Sequence, residues 1–190
     1  MLSHEAAWRG RSTRFPGAPA PTCDDMHVDA SHTVSIAPAP PTSAAGRTAL
    51  RAYIEDVVSR YYGRPALPDE VRDVLLDNPS DDLVPPHGIL LVAQQGGVVV
   101  GCAGLRLVHD GLGEITRVFV APTARGQGLG GHLLDGLEIW ARDHGVLVLR
   151  LDTRSDLVEA RGLYAKHGYV EVEPFNAEEY ADHWFAKDLD

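Results

Sequence analysis

The chain has little cysteine, no long apolar run and no excess of positive charge, and each shortage closes off a class of function. Two cysteines, Cys23 and Cys102, are too few for a disulfide framework. Cys102 lies in an apolar stretch, where cysteine behaves as a small buried hydrophobe. No segment reaches the roughly 20 apolar residues that span a bilayer. The longest apolar region, 89–108, is broken by Gln94, Gln95, Gly96 and Gly97. The N-terminus carries arginines without the apolar segment of a secretory signal, so the cytoplasm is the expected location, with no membrane partner. A formal net charge of −10 leaves no basic patch to neutralise phosphates, so no nucleic-acid partner is expected. His4, His27 and His32 are too scattered to hold a metal, and none is expected.

What remains is a chain of 190 residues, 44% of them hydrophobic, enough for one domain with a sizeable core. Residues 1–30 mix charges, prolines and small residues without a sustained period. They read as a disordered or non-native extension, with Met26 a conceivable start. The domain is expected over 31–190. It opens with a short strand over 32–36, ended by Pro38, Pro40 and Pro41. Thr42 or Ser43 then caps a helix whose Leu50, Tyr53, Ile54, Val57, Val58 and Tyr61 recur at helical spacing. A second helix starts at Pro68 and closes at Asn78-Pro79. Residues 88–93 and 98–108 form a hairpin about the turn at 94–97. After His109-Asp110-Gly111 the chain turns again, which makes an antiparallel meander of three strands.

The stretch 114–131 organises the rest. Its first half, Ile115 to Val120, is β-branched and aromatic and reads as a strand. Its second half sets Gly126, Gly128, Gly130 and Gly131 where a loop becomes a helix. Leu129, Leu133, Leu137 and Trp140 keep one face of that helix, which runs to about His144. An unbroken apolar strand follows over 146–152, parallel to its predecessor through a right-handed crossover. Asp156 is then the expected N-cap of a helix over 157–167. Strands over 169–172 and 183–189 complete an α+β architecture.

A glycine-rich turn at a helix start offers free N–H groups and the positive end of a dipole to a phosphate. Spacing decides which kind. A P-loop needs Lys and then Ser or Thr after its last glycine, where Gly131-His132 stands. Gly126, Gly128 and Gly131 match a dinucleotide fingerprint, but that motif ends a first strand and leads to an acidic ribose ligand. The order Arg125-x-x-Gly128-x-Gly130, behind a strand that bears Glu114 and ends Val-Ala-Pro, resembles the pyrophosphate loop of the GNAT superfamily of acyl-CoA-dependent N-acyltransferases. Ala160-x-x-Leu163-Tyr164-x-x-x-Gly168-Tyr169 looks like the helix of that family that closes over the thioester. Leu-Asp-Thr at 151–153 and Pro-Phe-Asn at 174–176 are similar to its small stand-alone members. The bland reading is a tight loop without a ligand.

The resemblance covers about 32–190. It implies a GNAT-like mixed, mostly antiparallel sheet with helices on both faces, and a bulge and splay between the fourth and fifth strands that would open a slot. It implies acetyl-CoA as donor and, as acceptor, a primary amine of a small molecule, amino acid or peptide that attacks the thioester directly. The protein would be a monomer or homodimer. Backbone groups of Val118, Phe119 and Val120 would pair with the pantetheine arm as if it were a strand, and an N–H near Val120 would serve the oxyanion. The loop opened by Arg125 would hold the pyrophosphate on the N–H groups of Gly126, Gln127, Gly128, Leu129, Gly130 and Gly131. Where the family commonly has an Asn that bonds the cofactor, this chain has Leu157, which leaves Ser155 or Asp156 as substitutes.

By the same resemblance Glu114 is the candidate base and Tyr164 the candidate acid. Direct transfer from an ammonium with a pKa of about 10.4 to a free Glu near 4.3 is uphill by about 8 kcal/mol, so burial or a water relay has to help. A phenol near 10 facing a thiol near 8.5 is uphill by about 2 kcal/mol, which favours hydrogen-bond donation to the departing sulfur. The structural alternatives are an ion pair of Glu114 with Arg106 or Arg117, and a packing role for Tyr164. Residues Tyr61, Tyr62, Gly63, Arg64, Phe175 and Asn176 would line the acceptor mouth. Arg106, Arg117 and Arg154 would bind a substrate carboxylate or sit in ion pairs. A function of another class is an acyl-CoA-binding module without turnover, acting as a sensor or regulator.

Overall fold

A computed structural model describes residues 33–189 of the chain. The extension over 1–30, with Cys23, Met26 and the N-terminal histidines, lies outside the described residues. The elements run β1 (Val34–Pro38), α1 (Ala44–Tyr62), α2 (Pro68–Asp77), β2 (Gly88–Gln95), β3 (Val98–His109), β4 (Leu112–Val120), α3 (Leu129–Asp143), β5 (Val148–Thr153), α4 (Val158–Lys166), β6 (Val170–Val172) and β7 (His183–Asp188). One seven-stranded sheet has the order β1-β2-β3-β4-β5-β7-β6. Among the described residues its only parallel pair is β4 with β5, joined by the crossover through α3.

Local chemistry explains most boundaries. Ser43 Oγ accepts the Gly46 N–H at 3.0 Å and starts α1, and Gly63 ends it in the left-handed conformation. The β2–β3 turn rests on Gly96 and Gly97, both at positive φ, as a two-residue hairpin requires. β1 begins later than expected and runs through Pro38, which pairs with Leu91. An edge strand tolerates a proline because one side of its backbone needs no partner. β5 begins two residues late, because the Val146 N–H is taken by Ala141 O at 3.0 Å.

The two faces of the sheet carry separate cores. Leu133, Leu134 and Leu137 of α3 pack on Leu91, Leu105, Ile115, Leu149 and Leu151, with Tyr164, Tyr169 and Phe185 filling the same layer. Ala49 and Leu50 of α1 pack on Leu90, Val92, Cys102 and Phe119 on the opposite face. Cys102 is fully buried, and burial pushes its thiol up to about 12. It is structural.

One irregularity positions the site. Cys102 faces Phe119 and Gly104 faces Thr116, so two steps along β3 span three along β4. The extra residue is a bulge, marked by Arg117 at φ 57, the only non-glycine at positive φ among the described residues. It reverses the alternation of β4. Ile115 points to the α3 side, yet Phe119 points to the α1 side.

Candidate active site

β4 and β5 pair through three rungs only: Leu112 with Val148, Gly113 with Leu149, and Glu114 with Arg150. Beyond Glu114 they part. On its other edge β4 stays bonded to β3, since Gly101 still faces Val120 and the Ala121 N–H donates to Val100 O at 2.9 Å. In an antiparallel ladder the intervening residues turn their N–H and C=O groups the other way. Val118 and Val120 therefore present backbone groups to the gap. The Val120 carbonyl accepts from Arg125 Nε at 3.0 Å.

The gap leads to the start of α3. Gly126 and Gly128 both have positive φ, and a Cβ on either would meet nothing within 4 Å, so backbone conformation alone demands glycine there. Gly130 and Gly131 serve packing. A Cβ on them would come within 2.9 Å of Leu163 and of His167, so their absence lets α4 and the turn after it sit against α3. Gly128 is the N-cap and supplies no side-chain acceptor. The first intrahelical bond is His132 N–H to Gly128 O, so the N–H groups before it stay open to a ligand.

A cleft of about 230 Å³ runs from Val118, Phe119 and Val120 past Arg125, Gly126 and Gly128 to Leu129, Gly130 and Gly131, with Leu157, Ala160 and Leu163 as its far wall. Gln127 is exposed and does not line it; its side chain reaches Thr123 O at 3.4 Å. A network of four charges crosses the mouth. Arg125 pairs with Asp56 at 3.1 Å and Glu159 at 3.5 Å, and Arg60 pairs with the same two carboxylates. The network ties α1, the loop and α4 together.

Glu114 does not pair with Arg106 or Arg117. Its partner is Arg150, whose Nε and Nη2 both stand 3.0 Å from Oε2. Phe175 covers that guanidinium, its ring centroid 4.2 Å from Cζ. Arg106 pairs with Asp82 instead, and Arg154 with Asp156. That last pair also overturns the expected capping of α4. Asp156 is spent on Arg154 Nε at 2.8 Å, and α4 starts at Val158 without a side-chain cap. Ser155 and Asp156, the expected substitutes for the missing Asn, do not line this cleft. Both line a separate polar hollow with Tyr61, Arg154 and Tyr180, and Ser155 N–H donates to Asp182 Oδ2 at 2.8 Å.

Tyr164 sits 4% exposed, with its ring against Tyr169 and Phe185. Burial pushes its phenol well above the usual tyrosine range, with further upward push from Tyr53 and Asp152. The expected mouth residues divide. Tyr61 and Tyr62 are half-exposed and stack edge to face, Arg64 lies over Tyr62, and Asn176 turns inward. Its Nδ2 donates to Asp152 Oδ2 at 2.8 Å while its Oδ1 accepts from Trp184 Nε1 at 2.7 Å. Asp152, Tyr53 and the charges at the cleft mouth escape a reading by motif. Arg150, Asp152 and Arg154 alternating with Leu149, Leu151 and Thr153 was the available signal, because period two in a strand marks a polar face.

Among the described residues no helix is long and apolar enough to cross a membrane, and no group of three residues is placed to hold a metal ion.

With this geometry in view the comparisons are specific. The acetyltransferase (GNAT) family matches residues 50–169. The chain belongs to that family. It is 39% identical over 94 residues to an IAA acetyltransferase of Azospirillum brasilense, covering 49% of this chain and 61% of the relative. It is 38% identical over 87 residues to an amino-acid acetyltransferase of Mycobacterium tuberculosis, covering 43% and 45%. The chain thus spans 45–61% of the length of these relatives. Among solved structures, an acetyltransferase of the GNAT family from Staphylococcus aureus superposes with a TM-score of 0.68 at 16% identity, covering 83% of this chain and 100% of that one. The PaiA N-acetyltransferase of Thermoplasma acidophilum, solved with coenzyme A, gives 0.66 at 16%, covering 82% and 99%. These two likenesses show the shared fold: a mixed, mostly antiparallel sheet with helices on both faces.

Proposed function

We propose that the protein is an N-acetyltransferase that takes the acetyl group from acetyl-CoA and passes it to a primary amine of a small molecule, amino acid or peptide. The observation that carries this reading is the gap between β4 and β5, lined by outward-facing backbone groups of Val118 and Val120 and ending at the uncapped start of α3. An extended amide-bearing arm fits the first part and a pyrophosphate the second.

The amine attacks the thioester carbonyl, an N–C bond forms, the C–S bond breaks, and a proton passes from nitrogen to a base. Glu114, at the vertex of the gap, is that base in this reading, with Oε1 left free by Arg150 and reached through water. Tyr164 donates a hydrogen bond to the departing sulfur; its raised pKa keeps the phenol protonated for that task. An N–H near Val120 holds the oxyanion.

A second reading, an acyl-CoA-binding module without turnover, draws on Leu157 and on the engagement of Glu114 by Arg150. One assay separates the two. Release of free CoA thiol above background with any acceptor of an amine panel supports the enzyme. Tight acetyl-CoA binding with no release across the panel supports the module.

A further inference from the structure

On the face of the sheet that looks toward α1, the two strands that part each carry a charge without an opposite charge as partner among the described residues. On β5 this is Asp152. Its Oδ2 accepts from Asn176 Nδ2, and no described donor reaches Oδ1. Asn176 has no freedom to turn over, because Trp184 Nε1 fixes its oxygen. The carboxylate is therefore aimed and half satisfied.

On β4 it is Arg117, held at positive φ by the bulge. Its Nε donates to Ser80 Oγ at 3.2 Å and its Nη2 to Asn78 O at 3.1 Å, both neutral oxygens. Its guanidinium also lies over the ring of Tyr53, 5.7 Å from the centroid. Both charges lie just past the last paired rung, Arg117 three residues beyond Glu114 and Asp152 two beyond Arg150. Burial raises the Tyr53 phenol and Arg117 lowers it, with a lesser upward push from Asp152. The other arginines of this face are neutralised, Arg150 by Glu114 and Arg154 by Asp156.

Half-buried charges of opposite sign that do not meet each other are costly to keep unless a ligand completes both. We infer that Asp152 and Arg117 form an acceptor subsite that reads a zwitterion, with Asp152 holding the amino group and Arg117 a carboxylate of the same small molecule. The acceptor class is thus an amino acid or another small amino-carboxylate, while plain amines and amidated amino acids are poor ligands. The inference rests on the N-acetyltransferase reading for its chemistry but not for its binding.

The test therefore reads binding and turnover separately. Protein saturated with CoA, which cannot turn over, is titrated calorimetrically with each of the common L-amino acids, with its decarboxylated amine and with its amide. At least one amino acid is expected to bind about tenfold or more tighter than both of its analogues, the effect of one charge-assisted contact. Asp152→Asn weakens that amino acid and its amine alike. Arg117→Asn, which suits the left-handed backbone, brings the amino acid down to the level of its amine, whereas Arg117→Lys keeps part of the preference. The acetyl-CoA thermal shift is measured in every variant to show that fold and donor site persist. If amines or amides bind as well as the acids, if nothing in the panel binds, or if Arg117→Asn keeps the full preference, the subsite is overturned. Selective binding without release of CoA thiol from acetyl-CoA upholds the subsite and overturns the enzyme.

Discussion

Glu114 and Arg150 face each other on the last paired rung of β4 and β5, with two guanidinium nitrogens 3.0 Å from one carboxylate oxygen. The strands separate immediately beyond them. The pair holds the vertex of the gap shut while leaving Oε1 for other work.

The two roles of Glu114 can be told apart by substitution. The side chains are 18% and 23% exposed, so the pair lies between the surface and buried limits. Glu114→Gln is expected to cost about 1–3 kcal/mol in urea unfolding at pH 7. As a lost base it also lowers kcat. A destabilised variant with a wild-type kcat would leave Glu114 a purely structural residue.

In the proposed reading, donor binding depends on the loop backbone. Acetyl-CoA at one hundred times its Kd is expected to stabilise the wild-type protein by about 2.7 kcal/mol. Gly128→Glu should abolish that shift by setting a carboxylate where the pyrophosphate is proposed to bind. Because Gly128 has φ 79, strain alone is a rival explanation. Gly128→Asn, whose side chain accepts that conformation, is the control and should keep the shift. Equal loss in both variants would point to strain and not to charge.

Tyr164 carries two separable expectations. Tyr164→Phe should lower kcat with little change in acetyl-CoA affinity, since the hydroxyl acts on the leaving group in the proposed mechanism. Its folded-state pKa is raised above the unfolded value near 10, so the folded protein holds this proton more tightly. The resulting stability is complete below about pH 10 and is lost as pH rises toward the folded value. Melting temperatures followed from pH 8 to 11 should therefore fall less steeply for Tyr164→Phe than for the wild type.

The charge network at the cleft mouth makes the opposite pH statement. The hydrogen bond from Arg60 holds the Glu159 carboxyl below its usual range, with smaller help from Arg125. Its contribution is present above the unfolded value of about 4.5 and is lost as pH falls through the folded one. Glu159 is half-exposed, so Glu159→Gln should cost under about 1 kcal/mol at pH 7. The difference from wild type should vanish in strong acid and shrink at 1 M salt.

How much of this was legible depended on how local each cause is. The face of α3 repeats every third or fourth residue, and the loop before it announces itself by glycine, so both could be read directly. The partner of Glu114 could not. Arg150 is a neighbour across a parallel pair, 36 residues away in sequence, and no local rule distinguishes it from Arg106 or Arg117. The resemblance implied a bulge, but its place at Arg117 was hidden, because positive φ is usually flagged by glycine and here an arginine adopts it. Asp156 looked like a cap because caps are short polar residues before a helix, yet a guanidinium two residues back outcompeted the backbone for it. Asp152 was masked by its own strand, whose leucines read as a central apolar run.

The extra residue in β4 also makes the site a matter of counting. Upstream of Arg117 the strand keeps the parity that lets Glu114 meet Arg150; downstream the parity is inverted, and Phe119 becomes part of the wall beneath α1. Deleting one residue between Thr116 and Val118 would rotate every later side chain of β4 to the opposite side, carrying Phe119 into the α3 layer and Val118 and Val120 out of the cleft. Most single-residue gaps are tolerated when they fall in loops. Here a gap of one, in the middle of a strand, would exchange the two faces of the sheet for everything downstream and take the guanidinium of the proposed acceptor subsite with it.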